Sequence, residues 1–307
     1  MPADRRYTEA VLRRLRWPVA RRLGVHAWGD ETSRLTGPGV EYADVREYQW
    51  GEDARLIDWN LTARSDRPYV RESHPDKGLD VWLLVDSSRS LDWGTAHSLK
   101  RDVAAELVAA ATLLLSRHGN RVGAVLFDTE LRRIFAPRAG RSGRLGLLAR
   151  PESERSRPGR QGRRTDLART LSRTAGLLRR PSLLLVVSDF LVESGWQKPM
   201  RALSLRHEIV AVRISDPREG EIPNVGVVAL QDPETGAQLE VDTSDRRLRE
   251  RYREAAAEQR RRLLGELRRA GASVLELTTA EPMLPQLARF LRRRQFHRGR
   301  PPGEVPA

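Results

Sequence analysis

Five oxygen-bearing side chains stand out by type and placement. Asp86-Ser87-Ser88-Arg89-Ser90 is an Asp-x-Ser-x-Ser pattern directly after the apolar run Val81–Val85. Thr165-Asp166 follows an Arg/Gly-rich stretch, and Ser188-Asp189 closes a second apolar run, Leu183–Val187. The carboxylates Asp86 and Asp189 and the hydroxyls Ser88, Ser90 and Thr165 are all hard oxygen donors. That set suits Mg2+ or Mn2+ and not a thiophilic metal. With waters they supply most of an octahedral shell, and any ligand acting through water leaves room for an external oxygen. Taken singly, each group has a plainer reading. Ser and Asp favour turns and helix caps, Thr165 would cap a helix opening at Asp166, and Asp189 would cap the segment after it. Recurrence at three strand or loop mouths is what points to one shared ion.

The elements that position these groups alternate in type. Val81–Asp86, Arg121–Phe127, Glu130–Phe135, Ser182–Ser188, Glu208–Ile214 and Ser273–Leu277 read as strands, with Val225–Leu230 and Gln238–Val241 as a hairpin. Ser98–Arg117, Asp166–Leu178, Trp196–Leu205, Asp245–Ala270 and Pro282–Arg294 read as helices. Strands alternating with helices predict an α/β protein with a doubly wound, mostly parallel sheet flanked by helices. In such sheets ligands bind beyond the carboxyl ends of the strands, at the point where the strand order reverses. Asp86 and Asp189 follow two of those ends.

The pattern Asp86-x-Ser88-x-Ser90 with Thr165 and Asp189 resembles the metal-ion-dependent adhesion site of von Willebrand factor type A domains, at all five motif positions. Upstream, Gly39-Val-Glu-Tyr-Ala-Asp-Val-Arg-Glu-Tyr-Gln-Trp-Gly51 and Arg55-Leu-Ile-Asp-Trp-Asn-Leu-Thr-Ala-Arg64 resemble the signature of the "domain of unknown function 58" family. Members of that family carry such a segment just before a type A-like domain. The likeness is close over residues 37–93 and extends by pattern to about residue 215. Leu91 stands where the family often has Met, a departure that leaves metal ligation untouched. The resemblance implies adhesion-type binding and not turnover: the metal is completed by a carboxylate from a partner protein. It also implies a MoxR-type AAA ATPase, or a client of one, as partner. The corresponding organisation is an N-terminal basic segment (1–36), a family-signature module (37–80), a type A-like domain (81–296) and a tail (297–307).

Rival chemistries are less complete. A haloacid-dehalogenase-like phosphohydrolase also places Asp after its first strand, but needs a second acid two residues on; position 88 is Ser, and no lysine is assignable to phosphate clamping. There is no Gly-x-x-x-x-Gly-Lys-Ser/Thr run, no His-Glu-x-x-His and no Gly-x-Ser-x-Gly. No complete catalytic constellation emerges. The chain has 55 Lys+Arg against 41 Asp+Glu, a net charge of +14, which keeps nucleic acid open as a ligand. Only Lys77, Lys100 and Lys198 are lysines, so the excess is an arginine bias. Its densest stretch is the Arg150–Arg164 loop, which holds no aromatic residue to stack a base. That loop has two further readings, a solvated segment or a basic flank that attracts an acidic partner to the metal.

In the signature module, Trp50, Ile57 and Trp59 are expected to cover a sheet edge or helix. Arg55, Asp58 and Arg64 keep two readings, pairs that hold turns or a second binding surface. The absence of cysteine removes disulfides and Cys-ligated zinc and fits a reducing compartment. No apolar run is long enough for a signal or spanning segment, so the expectation is a cytoplasmic, soluble protein.

Overall fold

The computed structural model of the chain describes residues 44–50, 53, 57, 59–65, 67–72, 78–116, 120–140, 165–231 and 238–296. They fall into two compact units, one within 26–77 and one from Gly78 onward. In the first, strands β1 (Asp44–Glu47) and β2 (Tyr69–Glu72) pair antiparallel, with the short helix α1 (Trp59–Thr62) between them. Arg67 ties β2's approach to Glu47 at 2.7 Å. Trp50 is 99% exposed and Trp59 is also exposed, so neither covers a sheet edge as expected. Two strands of four residues offer too small a face to bury an indole.

The second unit is built on a six-stranded sheet. β3 (Asp80–Asp86), β4 (Arg121–Phe127), β6 (Ser182–Ser188), β7 (Glu208–Ser215) and β10 (Ala272–Thr278) run parallel, and β5 (Leu131–Arg138) closes one edge antiparallel to β4. The spatial order is β10-β7-β6-β3-β4-β5. Counted from β3, the first strand of this sheet, the order is 3-2-1-4-5-6 read from β5, the doubly wound arrangement whose reversal point lies between β3 and β6. β8 (Val227–Gln231) and β9 (Gln238–Asp242) form the expected hairpin apart from this sheet.

Strand alternation assigns the two faces. Val81, Leu83 and Val85 of β3 pack with α2 (Lys100–Leu115) and α6 (Met283–Phe296), while Trp82 and Leu84 pack with α3 (Leu167–Ala175), α4 (Gln197–Ser204) and α5 (Arg246–Arg269). Burial on both faces is why these strands are continuous apolar runs in the sequence. The chain leaves β3 toward α2 on one face and leaves β6 toward α4 on the other, so the loops after β3 and β6 diverge and open a crevice. At the β5 edge, Gly123 is required: a Cβ there would lie 2.6 Å from the Phe135 carbonyl oxygen.

Candidate metal centre

Asp86 is the last residue of β3 and only 2% exposed. Its Oδ1 accepts the Ser88 N–H at 2.9 Å, and its Oδ2 accepts the Ser188 hydroxyl at 2.7 Å from the neighbouring strand β6. The Ser188 oxygen in turn accepts the Phe190 N–H at 3.0 Å. Ser88 stands at the start of a 3-10 turn, Arg89–Asp92, yet its hydroxyl makes no capping bond. It lies instead 3.0 Å from the Ser90 hydroxyl, and both serines are buried. The capping reading of the pentapeptide therefore fails for Ser88, whose oxygen is turned toward the second serine.

Asp189, 1% exposed, follows β6 across from the end of β3, since Val187 is in register with Val85. Its Oδ1 accepts the Leu191 N–H at 3.1 Å in a local turn; no helix begins there, so it is not a helix cap. Phe190 is held at φ 58, a left-handed backbone that costs a non-glycine residue about 1–2 kcal/mol. Its ring, buried edge-on against Trp196 at 6.1 Å, offsets that cost. The strained residue fixes the turn that carries Asp189.

Thr165 is 5% exposed. Asp166, not Thr165, is the N-cap of α3, accepting the Arg169 N–H at 2.8 Å. The N–H of Asp166 donates to the Asp128 carbonyl at 3.2 Å, just past the end of β4. The preceding carbonyl, of Phe127, accepts both the N–H and the hydroxyl of Ser87 at 2.7 and 2.8 Å. Residue 165 thus sits by the strand end that is in register with Asp86. Among the described residues no group of three His, Cys, Asp or Glu gathers for a metal. A centre here would have two carboxylates and hydroxyls, a donor set whose chemistry fits Mg2+ or Mn2+. The Arg150–Arg164 loop, with Arg55 and Asp58, lies outside the described residues; Arg64 is exposed.

The electrostatics are unusual. Burial, followed by the charge of Asp189, pushes the Asp86 carboxyl up to about 7, against the lowering effect of bonds from Ser188 and Ser88. No Lys, Arg or His pairs with it among the described residues. Asp189 does have a cation, a lysine to which the sequence analysis gave no role. Lys100, the first residue of α2 and 1% exposed, donates to Asp189 Oδ2 at 2.8 Å and to Glu219 Oε1 at 2.5 Å. Burial alone would lower its pKa, but the two carboxylates more than offset this and raise it. The Glu219 carboxyl is pushed up, by burial first and then by Asp189, against the opposing effects of Lys100 and Arg213. Ser188 and Lys100 are the residues that sequence spacing missed. The one signal for Lys100 was its rarity, a lysine kept in a chain otherwise biased to arginine.

A family model described as "Protein of unknown function DUF58" matches residues 44–262. An uncharacterized protein of Mycobacterium tuberculosis (strain ATCC 25618 / H37Rv) is 38% identical over 286 residues, 93% of this chain and 89% of that protein. An uncharacterized protein of Mycobacterium avium is 37% identical over 134 residues, 44% of this chain and 79% of its own length. Among solved structures, BatB from Bacteroides thetaiotaomicron aligns at TM-score 0.47 and 14% identity, over 72% of this chain and 100% of that one. The SpRpn10 VWA domain aligns at TM-score 0.37 and 10% identity, over 74% and 99%. With the family match over residues 44–262 and 38% identity to a relative along most of both chains, the chain belongs to the DUF58 family.

Proposed function

We propose that this protein binds a divalent cation, Mg2+ or Mn2+, through Asp86, Ser88, Ser90, Thr165 and Asp189, and through that cation an acidic side chain of a protein partner. The observation that carries the reading is Asp86: a carboxylate buried at the reversal point of the sheet, without a basic partner among the described residues and beside a second carboxylate. Such an arrangement is costly until a cation or a proton neutralises it. Hydroxyls add oxygen donors without adding negative charge, which keeps a bound cation receptive to an outside carboxylate. Ser188 orients Asp86, and the turn at Phe190 orients Asp189. The partner class, a MoxR-type AAA ATPase or its client, follows from the family resemblance.

Titration calorimetry with MnCl2 tests the cation. The wild-type protein should bind one Mn2+, and Asp86→Ala should weaken binding at least about 100-fold while the protein stays folded by circular dichroism. Equal affinity in the two proteins would overturn the reading. Co-purification of a MoxR-type ATPase should require Mg2+ and fail in EDTA; retention in EDTA would sink the metal-mediated contact.

A further inference from the structure

Lys100 is an improbable residue for its position. An ammonium in the first turn of a helix opposes the helix dipole, and one that is 1% exposed has left water altogether. The Asp189 and Glu219 carboxylates compensate, with the Trp93 ring 5.8 Å away. Glu219 is shared with Arg213 at 3.9 Å, and Arg213 reaches Glu276 at 3.7 Å, which Arg260 closes at 2.8 Å. Together with Asp86, four carboxylates face three fixed cations along this chain of pairs.

That charge count alters what a divalent ion would meet. Two carboxylates alone would neutralise it. With Lys100 already on Asp189, a divalent ion leaves the network one positive charge in excess, the deficit a single external carboxylate fills. A compact ammonium fits between two buried carboxylates where a planar guanidinium, the cation this chain otherwise prefers, would need a wider, forked site.

We propose that Lys100 sets the ligand specificity of the cation centre, taking up the charge of Asp189 so that the ion's open side accepts an anionic oxygen in preference to a neutral one. This rests on the cation-binding reading above. It makes Lys100 a positioning residue, acting through Asp189.

The test measures Mn2+ binding to the full chain by calorimetry and by electron paramagnetic resonance, alone and with acetate or its neutral analogue acetamide. Wild type should bind Mn2+ more tightly in acetate and not in acetamide. Lys100→Met should bind Mn2+ about tenfold more tightly and lose the acetate effect. Glu219→Gln keeps the shape and the hydrogen-bond acceptor but leaves Lys100 wholly on Asp189. It should shift both quantities the opposite way, with weaker Mn2+ binding and a larger acetate effect. Opposite shifts cannot come from general damage to the fold, and Glu219→Gln carries the test should Lys100→Met not fold. Mn2+ and acetate responses equal to wild type in either variant would overturn the role of Lys100 while leaving the centre standing. Failure of wild type to bind Mn2+, or equal binding by Asp86→Ala, would overturn both.

Discussion

At the scale of single residues, Asp86 makes the metal-free protein sensitive to pH. An aspartate in an unfolded chain titrates near 4, whereas burial and the neighbouring Asp189 push Asp86 to about 7. Between those values the folded chain holds a proton that the unfolded chain has released, so folding stability falls as pH rises from about 4 to about 7. The contribution is fully present below the lower value and gone above the upper one. In EDTA, urea denaturation should show a loss on the order of a few kcal/mol across that interval, and Asp86→Asn should flatten it. A profile that does not change in the variant would mean Asp86 is not the group responsible. The placement of Asp86 at the end of β3 and of Asp189 just past the end of β6 was legible in the sequence because the apolar runs mark where those strands stop. Lys100 was not: its partner Asp189 is 89 residues away and Glu219 is 119 away, and no local pattern encodes which face of a helix start turns inward.

At the scale of elements, the carboxyl ends of β7 and β10 are bound to the loop before α2 by Asp216. That carboxylate accepts the Thr95 N–H and hydroxyl at 2.7 and 2.6 Å, the Thr279 hydroxyl at 2.5 Å and the Arg218 N–H at 2.9 Å. Burial works to raise its pKa, but the donors prevail and hold it below the usual aspartate value. Its contribution to stability is therefore present above about pH 4 and lost as acid protonates it. Asp216→Ala strands several donors and should cost about 2–4 kcal/mol at neutral pH by chemical denaturation. Asp216→Asn should cost less and make the acid limb shallower. Strands β4 and β6 agree with the sequence reading to the residue, and the helices to within a few residues, because both faces of the sheet are covered and the apolar runs stop where burial stops. The sequence gives α3 three residues too many at its carboxyl end: it continues the helix to Leu178, whereas Gly176 and Leu177 close the turn through the carbonyls of Arg173 and Thr174. Trp50 and Trp59 misled because aromatic density usually signals burial, and a four-residue strand pair has no interior to offer.

At the scale of the whole molecule, the net charge of +14 belongs mostly to arginine, and in the second unit many arginines pair along helices, as Arg246 does with Glu250 and Arg262 with Glu266. Such exposed pairs contribute little to stability. No described helix is long and apolar enough to cross a membrane. The scarcity of lysine has a practical result. Lys198 is exposed, whereas Lys100 is sealed beneath the opening of α2. Reductive methylation of the native protein, read by peptide mass spectrometry, should mark Lys198 promptly and spare Lys100 until denaturant is added. The reactivity of that one amine then becomes a clock for how often the interior of the crevice breathes open, and a second clock, run in excess Mg2+, would tell whether a bound ion slows it.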